Sequence, residues 1–126
     1  MDGPETPPSI TIAASRMGRD ELRRLVDAWF GDMVKLVVDV RRGVVATGGE
    51  LHADAEALLL DQGSRQEDLW GANYFPGLGR ERSVEFTALI NIRPGQGNRS
   101  MEIQSQEVRD QVRGLVHALI GEGEAL

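Results

Sequence analysis

Cysteine is absent from the 126 residues, which excludes disulfide frameworks, thiolate zinc sites, iron–sulfur clusters and cysteine nucleophiles. Long apolar runs are missing too: no stretch approaches the roughly 18 apolar residues that a membrane helix needs. The first residues, Met1-Asp2-Gly3-Pro4-Glu5-Thr6-Pro7-Pro8, lack a basic region followed by an apolar run, so they do not read as an export signal. Positive charge is scarce. Fourteen Lys and Arg stand against 20 Asp and Glu, and the net charge of −6 argues against wholesale binding to phosphate backbones. The expectation is a cytoplasmic protein that meets neither membrane nor nucleic acid.

Three catalytic or binding signatures are also missing. No G-x-x-x-x-G-K-[ST] phosphate loop and no strand–G-x-G-x-x-G–helix unit occurs, and no serine sits in a G-x-S-x-G elbow. A hydrolase triad and a dinucleotide fold therefore have no support, and no cofactor is indicated.

What is present is enough for one core, since a chain of this length buries roughly two-thirds of the surface its unfolded form exposes. Residues 1 to 8 hold three prolines and two acids and predict a disordered lead. Ser9 to Ala14 alternates like a short edge strand. From Gly18 the period changes, and Leu22, Leu25, Val26, Trp29 and Phe30 have the spacing of a helix with one buried stripe, stopped at Gly31. Met33 to Val40 and Val44 to Thr47 read as a hairpin about Arg41-Arg42-Gly43. Leu51, Ala55, Leu58 and Leu59 predict a short helix closed by Gly63, with Asp54 as its cap.

Gln66 to Phe75 resists assignment, because Gly71, Asn73 and Pro76 interrupt its apolar residues. Val84 to Ile92 reads as the clearest strand, and Met101 and Ile103 as a short extended piece. Ser105 caps a last helix with the stripe Val108, Val112, Leu115, Val116, Leu119 and Ile120, from whose polar side His117 projects. Residues 122–126 are expected to fray, which leaves 9–121 as a single domain. The order predicts an α+β fold: a two-layer sandwich with a mixed, mostly antiparallel sheet of about four or five strands and helices on one face. The other face would carry Lys35, Asp39, Glu85, Thr87 and Asn91, as a solvated or site-bearing surface.

Two polar stretches concentrate the chemistry. In Gly48-Gly49-Glu50-Leu51-His52-Ala53-Asp54, the residues Glu50, His52 and Asp54 lie two apart and project to one side if the segment is extended. An imidazole between carboxylates suits a general base or a divalent metal site, so Glu50, His52, Asp54 and Asp68 are the catalytic candidates and the first three the metal candidates. The structural alternative has Asp54 capping a helix, Glu50 paired with an arginine and His52 satisfied by a neighbour. In Asn91-Ile92-Arg93-Pro94-Gly95-Gln96-Gly97-Asn98-Arg99-Ser100, arginine forks and glycine-rich backbone suit a small anionic ligand. The alternative there is that the arginines tie the loop to nearby carboxylates. Trp70, Asn73, Asn91, Arg93, Asn98 and Arg99 are the ligand-binding candidates.

Four blocks, Phe30-Gly31-Asp32-Met33-Val34-Lys35, Gly48 to Asp54, Gln66-Glu67-Asp68-Leu69-Trp70-Gly71-Ala72-Asn73, and Asn91 to Pro94 with Gly97 to Ser100, resemble a small bacterial family catalogued only as a domain of unknown function. The resemblance spans nearly everything between Ile10 and Ile120. It implies a compact single domain and supplies no activity or catalytic residue. Two functions from different classes follow from the residues. One is a small-molecule or anion-binding domain, an enzyme included, with its site between the 48–54 and 91–100 loops. The other is an interaction module or homodimer anchored on Trp70 and Tyr74.

Overall fold

The computed structural model describes residues 9–126; the expected lead of residues 1–8 lies outside them. Five strands form one sheet: β1 (Thr11–Ala13), β2 (Val34–Asp39), β3 (Val44–Thr47), β4 (Leu69–Tyr74) and β5 (Val84–Glu85), in the order β1-β3-β2-β4-β5. Every pairing is antiparallel. Four helices join them: α1 (Arg19–Trp29), α2 (His52–Asp61), the single turn α3 (Gly79–Arg82) and α4 (Gln106–Leu119). The class is α+β, with the antiparallel sheet that the sequence predicts.

Register sorts the strand residues onto two faces. Leu36, Val38, Val45, Ala72 and Tyr74 share one face with Leu22, Leu25 and Val26 of α1 and Val112, Val116 and Leu119 of α4 in a single core. Ser105 caps α4, its hydroxyl oxygen accepting the Val108 N–H at 3.2 Å.

The second face departs from the two-layer expectation, because it is not left open. Val37, Val44, Ala46 and Leu69 pack beneath Ala55 and Leu59 of α2 in a smaller core. The cause is Val37 and its neighbours, a patch too apolar to face water. Asp39, expected on a solvated surface, is fully buried here. Its carboxylate accepts the N–H groups of Arg41 and Arg42 and the hydroxyl of Ser64, at 2.9, 2.8 and 2.6 Å, and so closes the hairpin turn. Only the far end of this face stays polar and partly open, along the row Lys35, Asn73 and Glu85.

Two segments exchange roles relative to expectation. Leu69 to Tyr74 is an inner strand despite Gly71 and Asn73, whereas Val84 to Ile92 is a strand only at Val84 and Glu85. Beyond Glu85 the chain pairs antiparallel with 101–103 through the Thr87–Glu102 bridge, then turns at Leu89–Asn91. His117, expected on the polar side of α4, is buried, with Nε2 3.1 Å from the Arg80 carbonyl. Residues 122–126, expected to fray, are tied down. The Gly123 carbonyl accepts the N–H groups of Gly77 and Gly79, and the Gly123 N–H donates to the Tyr74 hydroxyl at 2.8 Å.

Candidate functional site

The Gly48-Gly49 pair is where the second-face layer begins. Both residues have positive φ, and a β-carbon on either would press on Leu25 or Ile10 at 3.2 and 3.0 Å, so the glycines serve a close chain crossing. The chain enters α2 at His52, with Leu51 rather than Asp54 at the cap position. Helical geometry disperses the three residues that an extended strand would have aligned. His52 faces the sheet, Asp54 is exposed in the first turn, where the helix dipole favours an acid, and Glu50 is exposed ahead of the helix. Among the described residues no group of three or more His, Asp or Glu is gathered as a metal site.

His52 Nε2 donates to the Ala72 carbonyl at 2.9 Å, which fixes the tautomer and leaves Nδ1 as the ring's acceptor. Burial lowers its pKa from the ordinary 6.5, and Lys35 adds to this, against the hydrogen bond to Ala72. The ring is therefore a neutral strut on β4. Asp68, at the end of the 3-10 turn Gln66–Asp68, accepts from Arg65 Nε at 3.0 Å.

The 91–100 stretch is a clasp built from side chains. Asn91 is buried; its Oδ1 accepts the Gly71 N–H at 2.8 Å while its Nδ2 donates to the carbonyls of Gly71 and Met101, each at 3.0 Å. Asn98, also buried, donates through Nδ2 to the carbonyls of Asn91, Ser100 and Glu102 and accepts the Gln104 N–H at 2.8 Å. Arg93 lies 4.1 Å over the Trp70 ring and donates to the carbonyls of Gln66 and Leu69. These groups continue the ladder of β4 where β5 has ended. Both terminal nitrogens of Arg93 are thus engaged by backbone oxygens. Arg99 is exposed, and its backbone N–H donates to the Gln104 side chain at 2.8 Å. Asn73 donates to Glu85 at 2.8 Å.

The two stretches therefore meet β4 at different carbonyls, Ala72 for His52 and Leu69 for Arg93, and do not face each other with free polar groups. Trp70 and Asn98 do come together, in a cleft of about 320 Å³ at the N-terminal end of α4. Val40, Trp70 and Val108 supply its apolar lining, and Glu67, Gln96, Gln104 and Ser105 its polar lining. Glu67 is the one ionisable group in that lining. Of this lining only Trp70 and Asn98 stood out in the sequence as binding candidates, because the residues come from four separate segments with no local pattern to connect them. Trp70 and Tyr74, the expected interface anchors, are 6% and 1% exposed and belong to the core.

Fold and site together describe a small α+β domain with a clasped sheet edge and, at the start of α4, a mixed polar and apolar cleft. Residues 11–119 match DUF5674, described as a protein of unknown function, and the chain belongs to this family. No curated protein and no solved structure matches it. Among the described residues no helix is long and apolar enough to cross a membrane.

Proposed function

We propose that the protein is a small-molecule-binding domain whose site is the cleft at the start of α4. The observation that carries this reading is the convergence of Trp70, an aromatic wall, with amide and hydroxyl groups in a space of about 320 Å³. Ligand sites combine these features: an apolar lining, and a few placed polar groups that fix orientation. Glu67 as the lone ionisable lining group favours a ligand that donates hydrogen bonds, an amine or polyol, over the small anion that the arginines suggested.

The test uses Trp70 itself as reporter in a Trp29→Phe background. Titration with a panel of small amines and polyols should give a saturable change in Trp70 emission. Val108→Phe, which fills the cleft, should abolish that change while leaving the thermal transition in place. A panel without any saturable response, or binding undiminished in Val108→Phe, would overturn the reading.

A further inference from the structure

Among the described residues α2 is the α-helix lying over the second face of the sheet, and its outward side is not the polar surface of an ordinary amphipathic helix. Ala53, Ala57 and Leu60, at i, i+4 and i+7, share that side and are all exposed. Leu51 at the cap is 54% exposed and Leu60 39%. Beside α2, the turn Leu89–Asn91 sends Ile90 inward toward Gly71 and His52 but leaves Leu89 at 71% and Ile92 at 44% exposure. Leu89 opens this turn and Ile92, with extended backbone, follows its last residue, so the two exposed side chains bracket it. Four of the large apolar side chains left in water thus lie on α2 or its cap and on the segment packed beside it, over the covered part of this sheet face. Monomeric proteins rarely leave such groupings without a use.

The charge around this layer selects the occupant. Between residues 50 and 62 stand Glu50, Asp54, Glu56 and Asp61, with no Lys or Arg. Glu50, Asp54 and Asp61 are exposed at the rim of the apolar stripe, while Glu56 is half-buried. Pairing two copies antiparallel through Ala57 would bring the Asp54 end of one against the Asp61 end of the other, and like charges across an interface are penalised. The same rim attracts a partner of opposite sign.

We propose that the outward face of α2 with Leu89 and Ile92 is a docking surface for a basic amphipathic helix, a partner segment with an apolar stripe flanked by Lys or Arg. Leu60 and Leu89 take up the partner's apolar side chains, and Asp54 and Asp61 orient it. This surface lies apart from the α4 cleft and does not depend on it.

A synthetic Leu/Lys amphipathic helix and its Leu/Glu counterpart, titrated into the full chain by calorimetry, test the proposal. The Lys peptide should bind and the Glu peptide should not. Leu60→Ala and Leu89→Ala should each weaken binding about tenfold, the size of one packed apolar anchor. Asp54→Asn with Asp61→Asn should weaken it about as much and flatten its salt dependence. Neutralising Asp20 and Glu21 on α1 should leave it unchanged, and an equal loss there would reduce the effect to general attraction by an acidic protein and overturn the site. Equal binding of both peptides, or of neither, would also overturn it. So would concentration-dependent dimerisation of the free chain that Leu60→Asp dissolves, since the occupant would then be a second copy.

Discussion

Asn91 pairs with Gly71 as a strand residue would, but with its side chain: one amide both accepts the Gly71 N–H and donates to the Gly71 carbonyl. Removing it leaves the buried N–H and carbonyl of Gly71 without that partner, while the Met101 carbonyl keeps the Ala88 N–H at 3.1 Å. Asn91→Ala should therefore cost about 3 kcal/mol in urea denaturation. Asn91→Asp should be at least as damaging, since it sets a carboxylate oxygen against the carbonyls of Gly71 and Met101. A loss under about 0.5 kcal/mol for either would show that water replaces the clasp at little cost.

Gly71 has its own constraint. A β-carbon there would collide with Ala88 Cβ and press on Ile90 and on His52 Cδ2 at 3.2 and 3.3 Å. Gly71→Ala should destabilise by about 1–3 kcal/mol through overpacking. Gly114, inside α4 with no atom within 4 Å of an added β-carbon, should respond in the opposite sense. Gly114→Ala should stabilise by about 0.5–1 kcal/mol, because alanine loses less backbone freedom in a helix. Parallel thermal scans compare the two.

Both histidines are held below the ordinary 6.5. Burial is the largest cause in each case; Lys35 adds to it at His52, and Arg80 and Arg113 add to it at His117. Since the folded values are the lower ones, the unfolded chain binds more protons between them and 6.5, and stability rises with pH across that window. Lowering the pH from about 7 toward 5 should therefore lose stability before most carboxylates titrate. In His52→Gln with His117→Gln the slope between pH 5 and 7 should flatten. An unchanged slope would assign the acid loss to other groups.

The Tyr74 hydroxyl accepts the Gly123 N–H inside the core, and burial raises its pKa from the usual 10.0. Tyr74→Phe removes that acceptor alone and should cost about 1–2 kcal/mol. Hydrogen exchange should quicken at Gly123 and at Gly77, whose N–H donates to the Gly123 carbonyl. Protection unchanged at both amides would mean that the remaining contacts hold the tail without Tyr74.

The long helices and the Ser105 cap were legible because their signals are local, whereas the Asp54 cap expected for α2 was not found. The stripes of α1 and α4, the Ser105 cap and the close of α2 at Gly63 all stand in short windows of sequence. The Gly63 and Ser64 N–H groups bond back to Leu60 and Leu59, the pattern that a glycine with positive φ permits. β4 was not legible, since Gly71 and Asn73 read as a loop, and the partners that make them strand residues are Val37 and Lys35 of β2, far back in the chain, with the Asn91 and Glu85 side chains on the other edge. Val84 to Ile92 misled for the reverse reason. Its alternation records that Val84, Phe86 and Ala88 reach the core, which a chain can achieve without a ladder. The Glu50, His52 and Asp54 spacing turned on whether the segment was extended. The helical entry at His52, set by the apolar residues that follow, decided against a shared side. Trp70 and Asn98 were singled out separately, but only the fold puts them in one cleft.

The strand order also sets a timetable. β2 and β3 meet across the short turn that Asp39 closes, whereas β4 reaches β2 only after the whole of α2 has been threaded past the sheet. The 91–104 clasp needs β4 already in place, because its partners are the carbonyls and N–H of that strand. Loop-closure cost grows with the chain enclosed, so the hairpin belongs to the early part of folding and the clasp to its end. In a chevron plot, Asn91→Ala should then steepen escape from the native state by raising the unfolding rate, with the refolding limb nearly unmoved. The residues once read as an anion loop would act as the latch that decides how long the folded chain persists.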